Sequence, residues 1–116
     1  MKPPTLEDVR IFPSAADFCA WLEAHHDTAT GLWLGYYKKG VPKTSITYPE
    51  AVEEALCFGW IDGLARRIDD EVSALRFTPR RKGSNWSETN VGKMQRLIAL
   101  GRARPAGIAA FEARRH

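Results

Sequence analysis

Hydrophobic and polar positions along this chain fall into blocks, and the spacing within each block predicts its secondary structure. Val9-Arg10-Ile11-Phe12 reads as a short strand or extended entry. Ser14 follows as a helix cap, and Asp17 places negative charge at the positive end of the helix dipole. Phe18, Trp21, Leu22 and His25 then recur at helical spacing down to about His26. Gly31 to Tyr37 is apolar or aromatic on both alternating faces, which predicts a central strand covered on both sides. Lys38 to Lys43 is a polar, turn-rich loop.

A second helix starts at Thr47-Tyr48-Pro49-Glu50, where a Thr cap, a first-turn Pro and a Glu three residues on make a capping box. Its apolar positions Ala51, Val52, Ala55 and Leu56 predict the buried face, with Glu50, Glu53 and Glu54 turned outward. Gly59 reads as the stop and Asp62-Gly63 as a turn. Leu64 to Asp69 and Val72 to Thr78 predict a hairpin around Asp69-Asp70-Glu71, with Arg66 on the same face as Leu64 and Ile68. An arginine on an apolar strand face needs a carboxylate or a ligand to meet. After a basic loop, Ser87 caps a helix with Val91, Met94, Leu97 and Ile98 as its stripe and Gly101 at its end. Pro105 starts a last short helix through Phe111. The resulting β-α-β-α-β-β-α-α order predicts one α+β domain over residues 1–116, with a largely antiparallel sheet and about four helices.

The length of 116 residues suits one two-layer core and is too short for two independent ones. No run approaches the ~18 apolar residues of a membrane span, and Met1 to Asp8 carries no apolar leader, so the expected compartment is the cytosol. Cys19 and Cys57 lie among apolar neighbours and read as buried structural thiols. The net charge of +3 is unevenly divided: residues 1–75 hold seven Lys/Arg against twelve Asp/Glu, and residues 76–116 hold ten against two. Two complementary halves packing together would explain this, and so would a basic face for an anionic partner.

Two blocks carry candidate chemistry. In Arg80-Arg81-Lys82-Gly83-Ser84-Asn85-Trp86-Ser87, guanidinium forks suit phosphate or carboxylate oxygens, and the loop leads into a helix N-terminus. Ser84, Ser87 and Asn90 supply further polar groups, and Trp86 a flat surface. Read without a ligand, the same stretch is a solvated basic loop with a cap and an anchoring Trp. In Phe58 to Gly63, Trp60 is a candidate pocket wall and Asp62 a group to orient Arg66, Arg80 or a ligand; read structurally, the block is a helix exit with a turn and two core aromatics. Neither block pairs a nucleophile with a base. His25-His26 lack a second ligand pair at helical spacing, so no metal site is expected, and terminal His116 adds nothing.

Glu54 to Gly63, Phe77-Thr-Pro-Arg-Arg81, Ser84-x-Trp86-Ser87-x-x-Asn90 and Leu97-x-x-x-Gly101 together resemble the YdeI/OmpD-associated family, whose members are called bacteriocin-protection proteins. Trp21-Leu22, Leu32-Trp33-Leu34, Lys38-Lys39-Gly40 and Tyr48-x-x-Ala51-Val52-x-x-Ala55 extend the likeness over nearly the whole chain. Members of that family commonly carry Met-Thr-Pro after the glycine now at 101, where this chain has Ala103-Arg104-Pro105, and many continue further. The chain therefore reads as a short member or a fragment. The resemblance implies a bacterial cytosolic α+β protein tied to bacteriocin or envelope-stress protection, and it brings no catalytic residue or cofactor.

From the residues, the leading expectation is a non-catalytic domain that binds a small anion or nucleic acid through Arg80, Arg81 and Lys82, between Trp60 and Trp86. A protein-interaction module is an alternative, and so is an enzyme with Asp62 as base. Trp60 or Asp62 is expected within direct or water-bridged reach of the Arg80–Trp86 loop.

Overall fold

The structure, a computed structural model, describes residues 2–115, so His116 lies outside the described residues. After a 3₁₀ turn at Leu6–Asp8, the order is β1 (Arg10–Ile11), α1 (Ala15–His25), β2 (Leu32–Tyr37), α2 (Tyr48–Cys57), β3 (Trp60–Arg67), β4 (Val72–Pro79), α3 (Glu88–Ala99) and α4 (Pro105–Glu112). The fold is α+β. Its four strands lie in the order β1-β2-β4-β3. β1 and β2 run parallel, joined by a crossover through α1, and both other pairings are antiparallel, so the sheet is mixed.

Capping side chains start the helices where the sequence places them. Ser14 accepts from the Asp17 amide, Ser87 from the Asn90 amide, and Thr47 with Glu50 closes a full capping box. Leu32 stands opposite Phe77 and Leu34 opposite Leu75, which puts all four on one sheet face. That face meets Phe18 and Leu22 of α1, Leu56 of α2, and Met94 and Leu97 of α3 in one core. Phe18 packs on Phe77 with ring centres 5.6 Å apart. Each of these side chains contributes roughly 1.5–3 kcal/mol by leaving water.

Four expectations change. The hairpin begins at Trp60 rather than Leu64, and Asp62-Gly63 lies within β3, beside a register shift between Asp62 and Ala65, instead of forming a turn. A bulge of this kind uses a small residue much as a turn does, so local sequence does not separate the two. Arg66 pairs with Ala74 and lies exposed on the face away from the helices, and Leu64 is 48% exposed rather than part of the core. Glu54 is buried rather than outward, because Arg102 donates to its carboxylate at 2.7 Å. Ile98, placed in the α3 stripe by its spacing, is exposed.

Candidate functional site: a basic cleft beside the last helix

The cleft begins with a backbone contact. Trp60 pairs with Pro79 at the end of the β3–β4 ladder, and just beyond it the Arg80 amide donates to the Gly59 carbonyl at 2.9 Å. The loop then turns back on itself. The Ser84 amide donates to the Arg81 carbonyl, and Gly83 sits at φ 76°, a left-handed conformation that suits glycine. This turn lays the Arg80 guanidinium 3.9 Å from the centre of the Trp86 ring, where Nη1 donates to Ser84 Oγ and to the Asn85 carbonyl, both at 3.3 Å.

Trp86 meets Phe111 of α4 edge-on at 5.2 Å, and Arg114 covers Phe111 at 3.9 Å. The Arg115 amide donates to the Ser84 carbonyl and ties the loop to the end of that helix. Two glycines let α4 come this close. A Cβ on Gly107 would stand 2.2 Å from the Cys57 carbonyl oxygen, and one on Gly59 would stand 2.9 Å from the Ala106 carbonyl oxygen. Between loop and helix lies a cavity of about 290 Å³, lined by Arg80, Arg81 and Lys82 on one side and by Ala109, Ala110 and Ala113 on the other.

The electrostatics of Arg80 are unusual. It forms no ion pair among the described residues. Burial holds its guanidinium below the usual arginine range, and the nearby Asp62 carboxylate only partly offsets this. Arg80 Nε and Trp86 Nε1 are buried and find no acceptor among the described residues. Each such donor costs ~1–3 kcal/mol until an acceptor reaches it.

Not every predicted site residue is here. Trp60 is 1% exposed and packs against Trp21 in the core, its indole donating to the His26 carbonyl; it is not a pocket wall. Its size and apolar ring decide that outcome: β3 turns it under the helices, where burial stabilises most. Asp62 accepts from the Tyr48 hydroxyl at 3.0 Å and reaches the site only through its charge. Arg66 is exposed on the far face and donates to its neighbouring carbonyl, Ala65. Arg81 and Lys82 are exposed at the cleft, and Ser84 buttresses Arg80. Ser87 and Asn90 are joined in the α3 cap. The blocks at 58–63 and 80–86 do meet, but through Gly59 and Arg80.

The alanines of α4 and the Phe111–Arg114 pair were missed by sequence reasoning. The one local signal for them is the small-residue run Ala106-Gly107-Ile108-Ala109-Ala110, which permits close helix approach.

The charge division now has a partial explanation. Arg96 and Arg102 pair with Glu53, Arg102 also with Glu54, and Arg104 with Glu23, so three late-half cations join α1 and α2 to the later helices. No ion pair involves Arg80, Arg81 or Lys82 among the described residues.

The fold and cleft define an α+β domain with a basic, alanine-floored hollow. The chain belongs to the family described as a domain of unknown function, DUF8412, whose model matches residues 10–110, from the first strand into the last helix. No curated protein and no solved structure matches it. Among the described residues, no helix is long and apolar enough to cross a membrane, and no group of His, Cys, Asp or Glu side chains is arranged to hold a metal ion.

Proposed function

We propose that this protein is a non-catalytic binding domain for an anion, held in the cleft between Arg80-Arg81-Lys82 and α4. The observation that carries the reading is Arg80: a half-buried cation, held over the Trp86 ring, with no carboxylate partner among the described residues. Burying a charge without a partner costs free energy that an incoming oxyanion would recover. Arg81 and Lys82 add charge at the mouth. Trp86 is committed to Arg80 and Phe111, so a base would not stack on it. A nucleic acid would therefore be held by its phosphates. The cytosol is the proposed compartment, and kinship with the YdeI/OmpD-associated proteins, with a part in bacteriocin or envelope-stress protection, is proposed on the sequence blocks quoted above.

Titration with inorganic phosphate, sugar phosphates, nucleotides and oligonucleotides tests this reading. Saturable binding that Arg80→Ala with Arg81→Ala weakens by roughly 1.5–3 kcal/mol per lost contact is expected. Absence of saturable binding to the whole panel would end it. A second reading, a docking site for a protein partner, is supported by Ile98 and Leu100, both exposed at the end of α3. Capture of one specific partner, lost on Leu100→Glu, would favour it.

A further inference from the structure

A second hollow lies away from the basic cleft, and its chemistry differs. It measures about 700 Å³ and is formed by the end of β2, the connection to α2 and the first residues of that helix. Tyr36 and Tyr48 meet there with ring centres 6.3 Å apart and planes at 87°, making a right-angled aromatic corner. Tyr48 is 42% exposed, so part of its ring is open to solvent. It is tethered there, because its hydroxyl donates to Asp62 at 3.0 Å. The remaining wall supplies Thr44 and Ser45 and the Lys39 side chain.

Three lysines line this hollow, and two of them have acidic neighbours. Lys43 pairs with Glu71 at 2.9 Å. Lys38 donates to the Asp69 carbonyl at 2.9 Å and lies near the Asp69 carboxylate, which the Glu71 and Val72 amides and then Lys38 hold below its usual range. Asp62 stands behind Tyr48. Lys43 and Lys38 are thus offset by Glu71 and Asp69, and Lys39 forms no ion pair among the described residues. A polyanion gains less from such a surface than from the basic cleft, because two of the three attractions are matched by a nearby repulsion.

We propose that this hollow binds a neutral carbohydrate. A pyranose ring offers one apolar face of C–H groups, which an exposed tyrosine ring covers well, and a rim of hydroxyls that both donate and accept. The Tyr36–Tyr48 corner provides the platform and the backstop, while Thr44 and Lys39 face the hydroxyl rim; the Ser45 hydroxyl is held by the Tyr37 amide and the Ile46 carbonyl. Asp62 is a positioning residue here: it fixes the phenol end of Tyr48, so the ring need not be ordered when ligand arrives.

Saturation-transfer NMR with glucose, N-acetylglucosamine, maltose and chitobiose tests the proposal, since it reads weak binding directly. Saturable transfer to at least one neutral sugar is expected. Tyr48→Ala should weaken it about tenfold, the loss of one stacking contact. Tyr48→Phe keeps the ring and loses only the tether, so a smaller loss is expected, and Asp62→Asn, which still accepts, should bind nearly as wild type. A heteronuclear NMR spectrum of each variant separates local effects from unfolding. The same titrations in the Arg80→Ala, Arg81→Ala background should be unchanged, which keeps this hollow distinct from the basic cleft. No saturable transfer from any sugar at tens-of-millimolar concentration, or binding indifferent to Tyr48→Ala, would overturn the proposal. So would a preference for glucuronate over glucose in the Arg80→Ala, Arg81→Ala background.

Discussion

The Arg80 guanidinium carbon lies 3.9 Å from the centre of the Trp86 ring, and on the other side of the Trp86–Phe111 pair Arg114 lies at the same distance from Phe111. Each ring of this edge-to-face pair, which joins a loop to the last helix, thus carries a cation. Replacing Trp86 by Leu should release Arg80 and remove much of this junction. An expected loss of about 2 kcal/mol lies below the usual cost of truncating a buried Trp, because this ring is only half-buried. Trp86→Phe should restore much of the stability. Chemical denaturation with phosphate titration measures both effects; anion affinity unchanged in Trp86→Leu would separate the ring from the site.

Gly107→Ala is the severe test of how α4 is seated. The new methyl group would meet the Cys57 carbonyl at 2.2 Å, a backbone atom that cannot rotate aside. Overpacking of this kind costs ~1–3 kcal/mol or displaces the helix. Lowered stability is expected, together with faster hydrogen exchange at Phe111 and Arg114, whose contacts hold the loop. By contrast, a Cβ on Gly92 meets nothing within 4 Å, and Gly92→Ala in the middle of α3 should stabilise by about 0.5–1 kcal/mol.

The pair of Arg102 and Glu54 joins α2 to the α3–α4 connection at 2.7 Å, with the Glu54 side chain 11% exposed and that of Arg102 39% exposed. Arg102→Ala leaves a buried carboxylate with no cation on it. A loss of about 1–2 kcal/mol is expected, discounted from the fully buried case because Arg102 is partly solvated. Adding Glu54→Gln should recover part of that loss, so the two substitutions should be non-additive in a double-mutant cycle. Additivity would show that the pair contributes little.

Burial pushes the Cys57 thiol from 9.0 up to about 11, with the Glu54 charge acting in the same direction. Folding therefore favours the protonated thiol. The native state holds that proton through pH 9 to 11 while the unfolded chain loses it, so stability from this group is fully present below pH 9 and falls between pH 9 and 11. Cys57→Ala should show a shallower decline over that window than the parent. In the native protein at pH 8, Cys57 should react with alkylating reagents more slowly than an unfolded thiol does. A rate equal to that of the unfolded chain would contradict this.

Much of the element order was legible in the residues. Ser14, Thr47 and Ser87 are caps that act within one turn, and Phe18, Leu22, Met94 and Leu97 carry a helical period that needs no partner to be read. The basic loop at 80–86 and its helix entry were equally local. The hairpin start was not, because Asp62-Gly63 serves a bulge as well as a turn and only the partner strand decides between them.

The sequence by itself determined the helices, the strand order along the chain and the presence of Arg80, Arg81 and Lys82 in one loop, since all of these rest on contacts between near neighbours. Tertiary structure alone decided which groups meet. It buried Trp60 in the core, gave Asp62 to Tyr48, spent Arg96, Arg102 and Arg104 on the glutamates of α1 and α2, and set the alanines of α4 opposite the basic loop. These pairings join residues from about fourteen to more than eighty positions apart. Their partners are selected by packing density and by the cost of an unpaired buried charge, and neither quantity exists until the chain has closed on itself.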